Sequence, residues 1–260
     1  MQLGNAGNPR VRTRRSFCAA ALSLSTLPWA LRVHASDDVA ELPITELPQE
    51  VAGIAIPRSL AATRAAALAR QSCPDFLFNH CMRTFLIGAL AMRSQAVSYD
   101  ADAAFIAAAL HDLGLLPAFA SKSQSFEIDG ANAAEKFARD NGLSPAEADT
   151  VWHGIAFHDV RFSITRRAGP EAMLVALGAG GDVDGPDLAT EEQKRQLAEV
   201  VAAFPRLQFK RRFTALLVEH CKLKPTSQRG TWLEGLCREQ VPAAWHDTVE
   251  KEIMAAPFAE

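Results

Sequence analysis

Apolar residues recur at helical spacing along most of the chain. The stretches Leu60 to Gln71 and Phe76 to Arg93 carry them three and four residues apart, which predicts two helices. A third helix is predicted from Ala101 to Asp112, and its unbroken apolar run indicates that it is buried on all sides. Alanine-rich stretches dominate, while clusters of β-branched and aromatic residues are scarce. The pattern therefore predicts an all-α fold.

The second half of the chain continues the helical pattern after one irregular stretch. Leu115 to Ile128 lacks periodicity and is predicted to be a loop, after which Asp129 is expected to cap a helix that ends at Gly142. Ser144 to Glu147 reads as a capping box with proline in the first helical turn. Further helices are predicted from Pro170 to the glycine-rich segment at Gly178 to Gly185, and near Glu191 to Ala203, Gln208 to Lys222 and Trp232 to Glu239.

The first 35 residues do not fit this pattern. They carry five arginines and no acidic residue, then an apolar run from Phe17 to Leu31, and end in Val33-His34-Ala35. This order is typical of an export signal, and the pair Arg14-Arg15 identifies a twin-arginine signal. The apolar run is interrupted by proline and too short to span a bilayer. We expect a periplasmic or exported protein without stable membrane insertion.

The remainder divides by composition into two parts. Residues 36–58 contain Pro43, Pro48 and Pro57 and are predicted to form an extended arm. Residues 59–260 are predicted to form one helical domain, with a motif-bearing core at 76–188 and a helical C-terminal extension. A total of 260 residues is enough for one sizeable core.

Charge and cysteine content restrict the partners. The whole chain has 27 basic and 30 acidic residues, so removal of the five leader arginines leaves a formal charge of −8. Such a surface does not attract polyanions, which excludes nucleic acid as an expected partner. The cysteines outside the leader form no Cys-x-x-Cys pair and are interpreted as buried packing residues, with Cys73 and Cys221 as candidates for a disulfide.

The chemistry is indicated by the end of the buried third helix. His111 and Asp112 follow the apolar run directly, and burying both is costly unless each has a partner. A divalent metal satisfies both residues. A single His-Asp pair is weak evidence, since a capping aspartate beside a core histidine gives the same dipeptide. Two further features strengthen the metal hypothesis: His80 on the apolar helix upstream, and Asp182 at the end of an apolar helix downstream.

The order of these residues resembles the HD superfamily, and more narrowly the cyanamide hydratase-like HD proteins. The matching stretches span roughly Phe78 to Gly185: Asn79 to Phe85, Ala108 to Gly114, Ser125 to Glu127 with Gly130-Ala131, Ile155 to Asp159, and Asp182 to Gly185. The resemblance implies an HD-domain helical bundle with a single metal between helices, bound by His80, His111, Asp112 and Asp182. It also implies that Glu127 and His158 face the substrate as catalytic groups. Asp184 competes with Asp182 for the last ligand position, and Asp182 matches the family position.

Two further residues are candidates for substrate binding. Arg83 lies one helical turn after His80 and is expected to pair with a ligand carboxylate or to anchor an anionic substrate. For His153 the sequence favours neither a core position nor a position in the site. It lies five residues from His158, about 140° away around a helix, so the two do not face the same ion. Glu127 has an alternative role as a helix N-terminal charge.

The function predicted from these features is a metal-dependent HD-domain enzyme that uses metal-activated water on a small nitrile-type substrate such as cyanamide. Zinc is the favoured metal, with iron or manganese as alternatives. The first rival is a phosphohydrolase of a nucleotide or other phosphate ester, for which Arg83, Lys122 and Arg161 are the available cations. The second is an HD domain that binds a ligand without turnover. The sequence leaves the oligomeric state open.

Overall fold

A computed structural model describes residues 47–160, 162–245 and 249–257. The predicted leader and the first part of the arm lie outside these residues. Within the described part, Glu50–Val51 (β1) and Ile54–Ala55 (β2) pair antiparallel in a two-stranded hairpin, where the sequence predicts an extended arm. The rest is helical, which confirms the all-α prediction.

The helices follow one another with short connections. They are α1 (Leu60–Ser72), α2 (Asp75–Ser94), α3 (Ala101–Leu110), α4 (Phe126–Asp140), α5 (Pro145–Ala156), α6 (Phe162–Ala168), α7 (Pro170–Asp184), α8 (Glu191–Ala203), α9 (Phe209–Leu223), α10 (Glu234–Gln240) and α11 (Val249–Met254). Short 3₁₀ turns lie at Leu113–Leu115 and Pro242–Ala244. The predicted capping box is present at Ser144 and Glu147, and Asp100 caps α3 through the backbone N–H of Ala103.

Helix α3 lies in the middle of the core because its sequence is apolar on every face. All eight residues from Ala103 to Leu110 are buried. Its alanines allow neighbouring helices to approach closely, and α1, α2, α5 and α7 all pack against it. The C-terminal end of α3, which carries His111 and Asp112, is therefore enclosed by other helices.

Two glycine contacts fix the helices around this end. A Cβ atom at Gly178 in α7 would lie 1.8 Å from the carbonyl oxygen of Thr84 in α2, so these two helices touch through their backbones. A Cβ atom at Gly114 would lie 1.9 Å from the carbonyl oxygen of Phe126, which draws the start of α4 against the end of α3. No larger residue fits at either position without displacing backbone.

Two details of α4 differ from the sequence prediction, and α6 is a helix that the sequence did not predict. Helix α4 begins at Phe126, three residues before the predicted cap, because Asp129 does not cap it. The Asp129 carboxylate instead accepts hydrogen bonds from the backbone N–H of Ser121 (2.8 Å) and from the buried Lys224 ammonium (2.6 Å). Glu127 consequently lies in the first turn of α4, whereas the sequence places it in a loop.

The prediction of a disulfide that uses Cys73 was wrong. Cys221 in α9 is bonded to Cys237 in α10, while Cys73 and Cys81 are buried free thiols. Cys73 ends α1 and lies near Cys81 in α2, and this contact together with burial raises the pKa of Cys81. The disulfide joins two helices that sequence periodicity alone does not pair.

No helix among the described residues is both long and apolar enough to cross a membrane. All described residues belong to a single unit that spans Glu41–Glu260.

Candidate metal centre

Three buried side chains bring possible ligand atoms together between α2 and the end of α3. His80 Nε2 lies 3.3 Å from His111 Nε2, and Asp112 Oδ2 lies 3.5 Å and 3.4 Å from these two nitrogens. The side chains of all three residues are at most 2% exposed. Two imidazoles and one carboxylate form a donor set that suits zinc and related divalent ions.

The Nδ1 atoms of both histidines make hydrogen bonds outside the cluster, and these bonds orient the Nε2 atoms toward one another. His111 Nδ1 lies 2.8 Å from the carbonyl oxygen of Ala108, and His80 Nδ1 lies 2.7 Å from Asp182 Oδ2. Both partners are acceptors, so each Nδ1 carries a proton, and Nε2 is the ring nitrogen that faces the cluster and would bind a metal. Burial lowers the pKa of His111 to about 4, with a further contribution from His158, although Asp112 opposes it. His111 is therefore neutral at physiological pH, as a metal ligand must be.

Asp112 provides a direct test of whether a cation fits. Its Oδ2 atom is buried and has no hydrogen-bond partner among the described residues. A buried carboxylate oxygen without a partner is costly, and buried polar atoms nearly always find one. A cation held by His80, His111 and Asp112 would satisfy this oxygen, so the residues present fit a metal.

Asp182 is held on the other side of His80. Its carboxylate accepts from Arg83 Nε and Nη2 at 2.8 and 2.7 Å and from Arg206 Nη1 at 2.6 Å, in addition to the bond from His80. Burial alone would raise the pKa of Asp182, but the hydrogen bonds from His80 and Arg83 outweigh burial and hold it well below its usual value. The structure thus brings together three of the four predicted ligands and places Asp182 behind one of them.

An aromatic wall covers the rings of this cluster. Phe209 stacks on His80 with ring centroids 4.7 Å apart, and Phe213 lies 5.3 Å from the same ring. Arg206 also packs over Phe209, at 4.9 Å from its centroid. The turn before α9 contains Leu207 and Gln208 with φ angles of 49° and 61°. This left-handed backbone region costs energy for residues other than glycine.

A cavity of about 140 Å³ opens on the three converging side chains, and we call it the metal-site cavity. Its other walls are mainly apolar, with Trp232 contributed from the segment before α10. Among the described residues that line it, none is a lysine or an arginine. The polar lining outside the cluster consists of His158, Asp159 and Asp184.

His158 lies beside His111 at the end of α5. The two rings meet edge to face with centroids 5.1 Å apart. His158 Nδ1 lies 2.6 Å from the carbonyl oxygen of Ile155, so this nitrogen carries a proton and donates it to the backbone. The predicted catalytic histidine therefore lines the metal-site cavity, with its ring orientation fixed by the backbone.

Glu127 forms a buried acid pair with Asp159. Burial raises the pKa of Glu127 to about 9, and the neighbouring Asp159 carboxyl group contributes to the same shift. Burial also raises the pKa of Asp159. The effect of a neighbouring acid adds to that of burial, so both carboxyl groups hold their protons more tightly than an exposed acid does. Asp159 lines the metal-site cavity, whereas Glu127 lies behind it.

Gln228 connects this acid pair to α9. With its amide nitrogen directed at Glu127 Oε1 (3.2 Å), its oxygen accepts from His220 Nε2 and the backbone N–H of Phe126, each at 3.0 Å. Burial lowers the pKa of His220 to about 4, and Lys224 lowers it further. His220 is thus a neutral donor in a continuous chain of side chains.

The two residues predicted to bind substrate lie elsewhere. Arg83 is completely buried and donates to Asp182 and to the carbonyl oxygen of Phe204. The His153 side chain is 38% exposed, lies 3.4 Å from Asp149 and stacks on Phe157. The structure brings neither residue to the lining of the metal-site cavity.

Sequence reasoning missed Asp159, Arg206, Phe209, Phe213 and Gln228 as parts of the site. Asp159 carried one usable signal, because it follows His158 directly in the second His-Asp pair of the chain. The other four come from the helical extension, where they follow no motif that the sequence reveals.

Comparison with known proteins places this arrangement in a family. A model of the HD domain matches residues 77–210, which include His80, His111, Asp112 and Asp182. No curated protein matches the chain significantly. The match covers more than half of the chain, and the buried histidine and aspartate cluster lies within it. The chain belongs to the HD-domain family, whose members are generally metal-dependent hydrolases.

Proposed function

We propose that this protein uses a divalent metal at His80, His111 and Asp112 to add water to a small, uncharged substrate of the nitrile type, such as cyanamide. The observation that carries this proposal is the metal-site cavity, which is small, touches all three candidate ligands and is lined by carboxyl groups without a described cation. Its volume of about 140 Å³ is comparable to cavities of about 150 Å³ that hold one benzene-sized molecule.

The donor set supports zinc. His80 Nε2, His111 Nε2 and Asp112 Oδ2 would hold the ion, and three protein ligands leave a position for water, as catalytic zinc sites require. Held by these residues, zinc would supply a Lewis acid that lowers the pKa of water toward neutrality. Asp182 then acts through His80, by fixing the orientation and proton of the imidazole.

The charges around the cavity disfavour the phosphohydrolase alternative. Phosphoryl transfer needs cations around the phosphate oxygens. Arg83 is bonded to Asp182 and 0% exposed, while Lys122 is exposed and does not line the cavity. Arg161 lies outside the described residues. Instead, the acidic residues Asp159 and Asp184 line the cavity, and the exposed Asp184 carboxylate repels a phosphate dianion.

His158 and the acid pair supply the proton transfers that hydration of a nitrile needs. Water gives its oxygen to the nitrile carbon and one proton to His158 Nε2, while one π bond breaks and the nitrogen takes a proton from the Asp159–Glu127 pair. The hydroxyl proton of the resulting imidic acid moves to nitrogen, and His158 returns its proton to the pair. One water has then been added, and the product is an amide, or urea from cyanamide.

Metal content tests the centre itself. The purified wild type should contain about one equivalent of divalent metal by atomic emission, and His111→Ala should lose it. His153→Ala is the matched control, since it removes a half-exposed histidine away from the cavity and should retain the metal. A wild type without stoichiometric metal would sink the proposal.

Activity distinguishes the two substrate classes. Wild type incubated with cyanamide should form urea, and Asp112→Ala should form none. Phosphate release from a generic aryl phosphate, without urea formation, would establish the phosphohydrolase instead. Stoichiometric metal without turnover of either compound would favour an HD domain that binds a ligand only.

We also propose export through the twin-arginine pathway. The Cys221–Cys237 disulfide supports this location, because disulfides persist in oxidising compartments. Cell fractionation should recover the protein outside the cytoplasm, and Arg14→Lys with Arg15→Lys should retain it inside. Wild type found only in the cytoplasm would contradict the proposal.

A further inference from the structure

A second, larger depression lies beside the metal-site cavity. It has a volume of about 630 Å³ and lies between the C-terminal ends of α2 and α7 and the start of α8. Apolar side chains such as Leu90, Leu177 and Leu197 line it together with the amides of Gln95, Gln193 and Gln196. We call this depression the outer groove.

The metal-site cavity and the outer groove share one wall. Ala176, Gly180 and Asp184 line both, and they are spaced four residues apart on α7. At this spacing the three residues form a single stripe along the helix. The metal-site cavity extends from this stripe to Ala179 and Val183 on one side, while the outer groove extends to Leu177 and Gly181 on the other.

Gly180 is the residue of this stripe that has no side chain, and packing against neighbouring atoms does not explain why glycine is present there. A Cβ atom at Gly178 would collide with Thr84, and one at Gly181 would lie 2.9 Å from Ile87 Cγ2. A Cβ atom at Gly180 would meet no atom within 4 Å, and the residue is exposed. Glycine inside a helix costs about 1 kcal/mol relative to alanine. The open space above Gly180 therefore needs a reason other than contact with the described residues.

The reactive group of a ligand that lies across this stripe would occupy the metal-site cavity, where the candidate metal ligands converge. The unpartnered Oδ2 of Asp112 is buried and belongs to the lining of the metal-site cavity. That cavity accommodates a group of about benzene size, so a larger substrate needs space beyond it. The outer groove begins on the other side of Gly180, which lines both spaces.

We propose that the substrate spans both spaces: its nitrile group reacts in the metal-site cavity, and an uncharged, largely aliphatic substituent passes over Gly180 into the outer groove. This inference rests on the proposed function and narrows it to organic nitriles larger than cyanamide. Gly180 is then a residue that determines specificity, because any side chain there stands in the path of the substituent.

The charges of the outer groove define the substituent further. Asp184 and Asp187 line it, and its arginine, Arg93, donates to the carbonyl oxygens of Gly53 and Ala52 at 3.1 and 3.3 Å. An anionic substituent would meet two carboxylates and an arginine that is already engaged. Aliphatic carbons instead bury against the leucines, at about 0.8 kcal/mol per methylene.

Hydroxamates, which chelate divalent metals, test the groove without requiring turnover. The zinc-loaded full chain should bind octanohydroxamate at least about tenfold tighter than acetohydroxamate by calorimetry, because the heptyl chain buries apolar area. The hydroxamate of suberic acid, with a carboxylate at the end of a similar tail, should lose most of this gain. Equal affinity of wild type for the short and long aliphatic probes overturns the inference.

Gly180→Leu tests the path itself. The ratio of the two aliphatic affinities should fall toward one, while the protein becomes no less stable, since leucine has the higher helix propensity. Gly235→Leu is the matched control, because Gly235 is also exposed, helical and free of atoms within 4 Å of a Cβ, but lines neither space. It should keep the wild-type ratio. An unchanged ratio in Gly180→Leu contradicts the inference.

The two proposals fail separately. If neither cyanamide nor hexanenitrile is hydrated, the proposed function fails, and the hydroxamate ratios still decide whether the groove extends the site. If hexanenitrile is hydrated and Gly180→Leu lowers kcat/KM for it no more than for cyanamide, the groove proposal fails and the hydratase stands.

Discussion

Two carboxyl groups beside the metal centre are equally buried and yet differ in charge. Asp182 and Glu127 are each 2% exposed. Hydrogen bonds from His80 and Arg83 overcome the effect of burial and hold the pKa of Asp182 far below its usual value. Glu127 has another carboxyl group, Asp159, as its neighbour, and burial together with this contact raises its pKa to about 9.

The comparison shows that partners, rather than burial, decide what a buried carboxyl group does. A carboxylate surrounded by arginines stays ionised and serves as a fixed anchor. A carboxyl group paired with a second acid keeps a proton near neutral pH and is able to donate it. The protein thus places an ionised carboxylate, Asp182, behind His80. It places a carboxyl group of raised pKa, Glu127, behind Asp159, which lines the metal-site cavity.

Asp182→Asn should have the largest effect. It leaves Arg83 buried without a counter-charge, and breaking a buried ion pair in this way costs about 3–5 kcal/mol. The affinity for zinc should fall by about 10- to 100-fold, as expected for a residue that acts through a ligand. Chemical denaturation and competition with a chelator measure the two effects.

Asp184→Asn is the control for this variant. It removes an exposed carboxylate two residues away and should change the free energy of unfolding by no more than about 0.5 kcal/mol. If Asp182→Asn loses metal as completely as His111→Ala, Asp182 binds the ion directly, and its position behind His80 is wrong.

Loss of the disulfide should lower the stability of the protein without weakening zinc binding. Cys221–Cys237 closes a loop of 16 residues that carries Gln228, so replacing both cysteines with alanine should cost about 3 kcal/mol. Zinc affinity should stay close to that of wild type, because none of the three candidate ligands or Asp182 lies in this loop. Reduction of the wild type with dithiothreitol should reproduce the loss, and unchanged stability after reduction would refute the role of the disulfide.

Arg206→Gln should have a smaller effect than Asp182→Asn. It removes two hydrogen bonds to Asp182, but Arg83 remains on the carboxylate, and the Arg206 side chain is 30% exposed. We expect a loss of about 1.5–3 kcal/mol, toward the lower value because water replaces part of the contact. Arg212→Gln, which loses a contact with the Phe76 ring, should cost less than about 1 kcal/mol. A larger loss in Arg212→Gln than in Arg206→Gln would contradict the anchoring role.

Glu127→Gln should have the smallest effect at about pH 5 and a distinctive dependence on pH. The folded protein keeps the Glu127 proton up to about pH 9, whereas the unfolded chain releases it near its ordinary pKa of 4.5. The stability from this group is therefore complete below the unfolded pKa and is lost as the pH rises toward 9. Glutamine remains neutral, so the variant should become more stable than wild type as the pH rises.

Denaturation curves between about pH 5 and pH 9 measure this difference. Glu135→Gln, on the same helix, removes a partly exposed carboxylate paired with Arg139 and should keep the wild-type dependence on pH. Parallel curves for wild type and Glu127→Gln would show that Glu127 is ionised in the folded state.

The helical fold and the centre of the site were predictable for a local reason. The apolar run of α3 and the capping box of α5 set helix positions through neighbours a few residues apart, and the structure confirms them. His111 and Asp112 stood out because two polar residues follow a completely buried helix. The start of α4 was misplaced because Asp129 bonds Lys224, which is 95 residues away.

The sequence by itself determined that the chain is mostly helical and that His111 and Asp112, at the end of a buried helix, need a partner, while the resemblance to the HD superfamily added His80. Periodicity, capping and the cost of burying unpaired polar groups act over short distances along the chain. Only the tertiary structure decided that Asp182 is held by His80 and two arginines, that Glu127 has a second acid, Asp159, as its neighbour, and that Gly180 lines two spaces. The state of a buried carboxyl group depends on which charges face it, and those charges come from helices distant in the sequence.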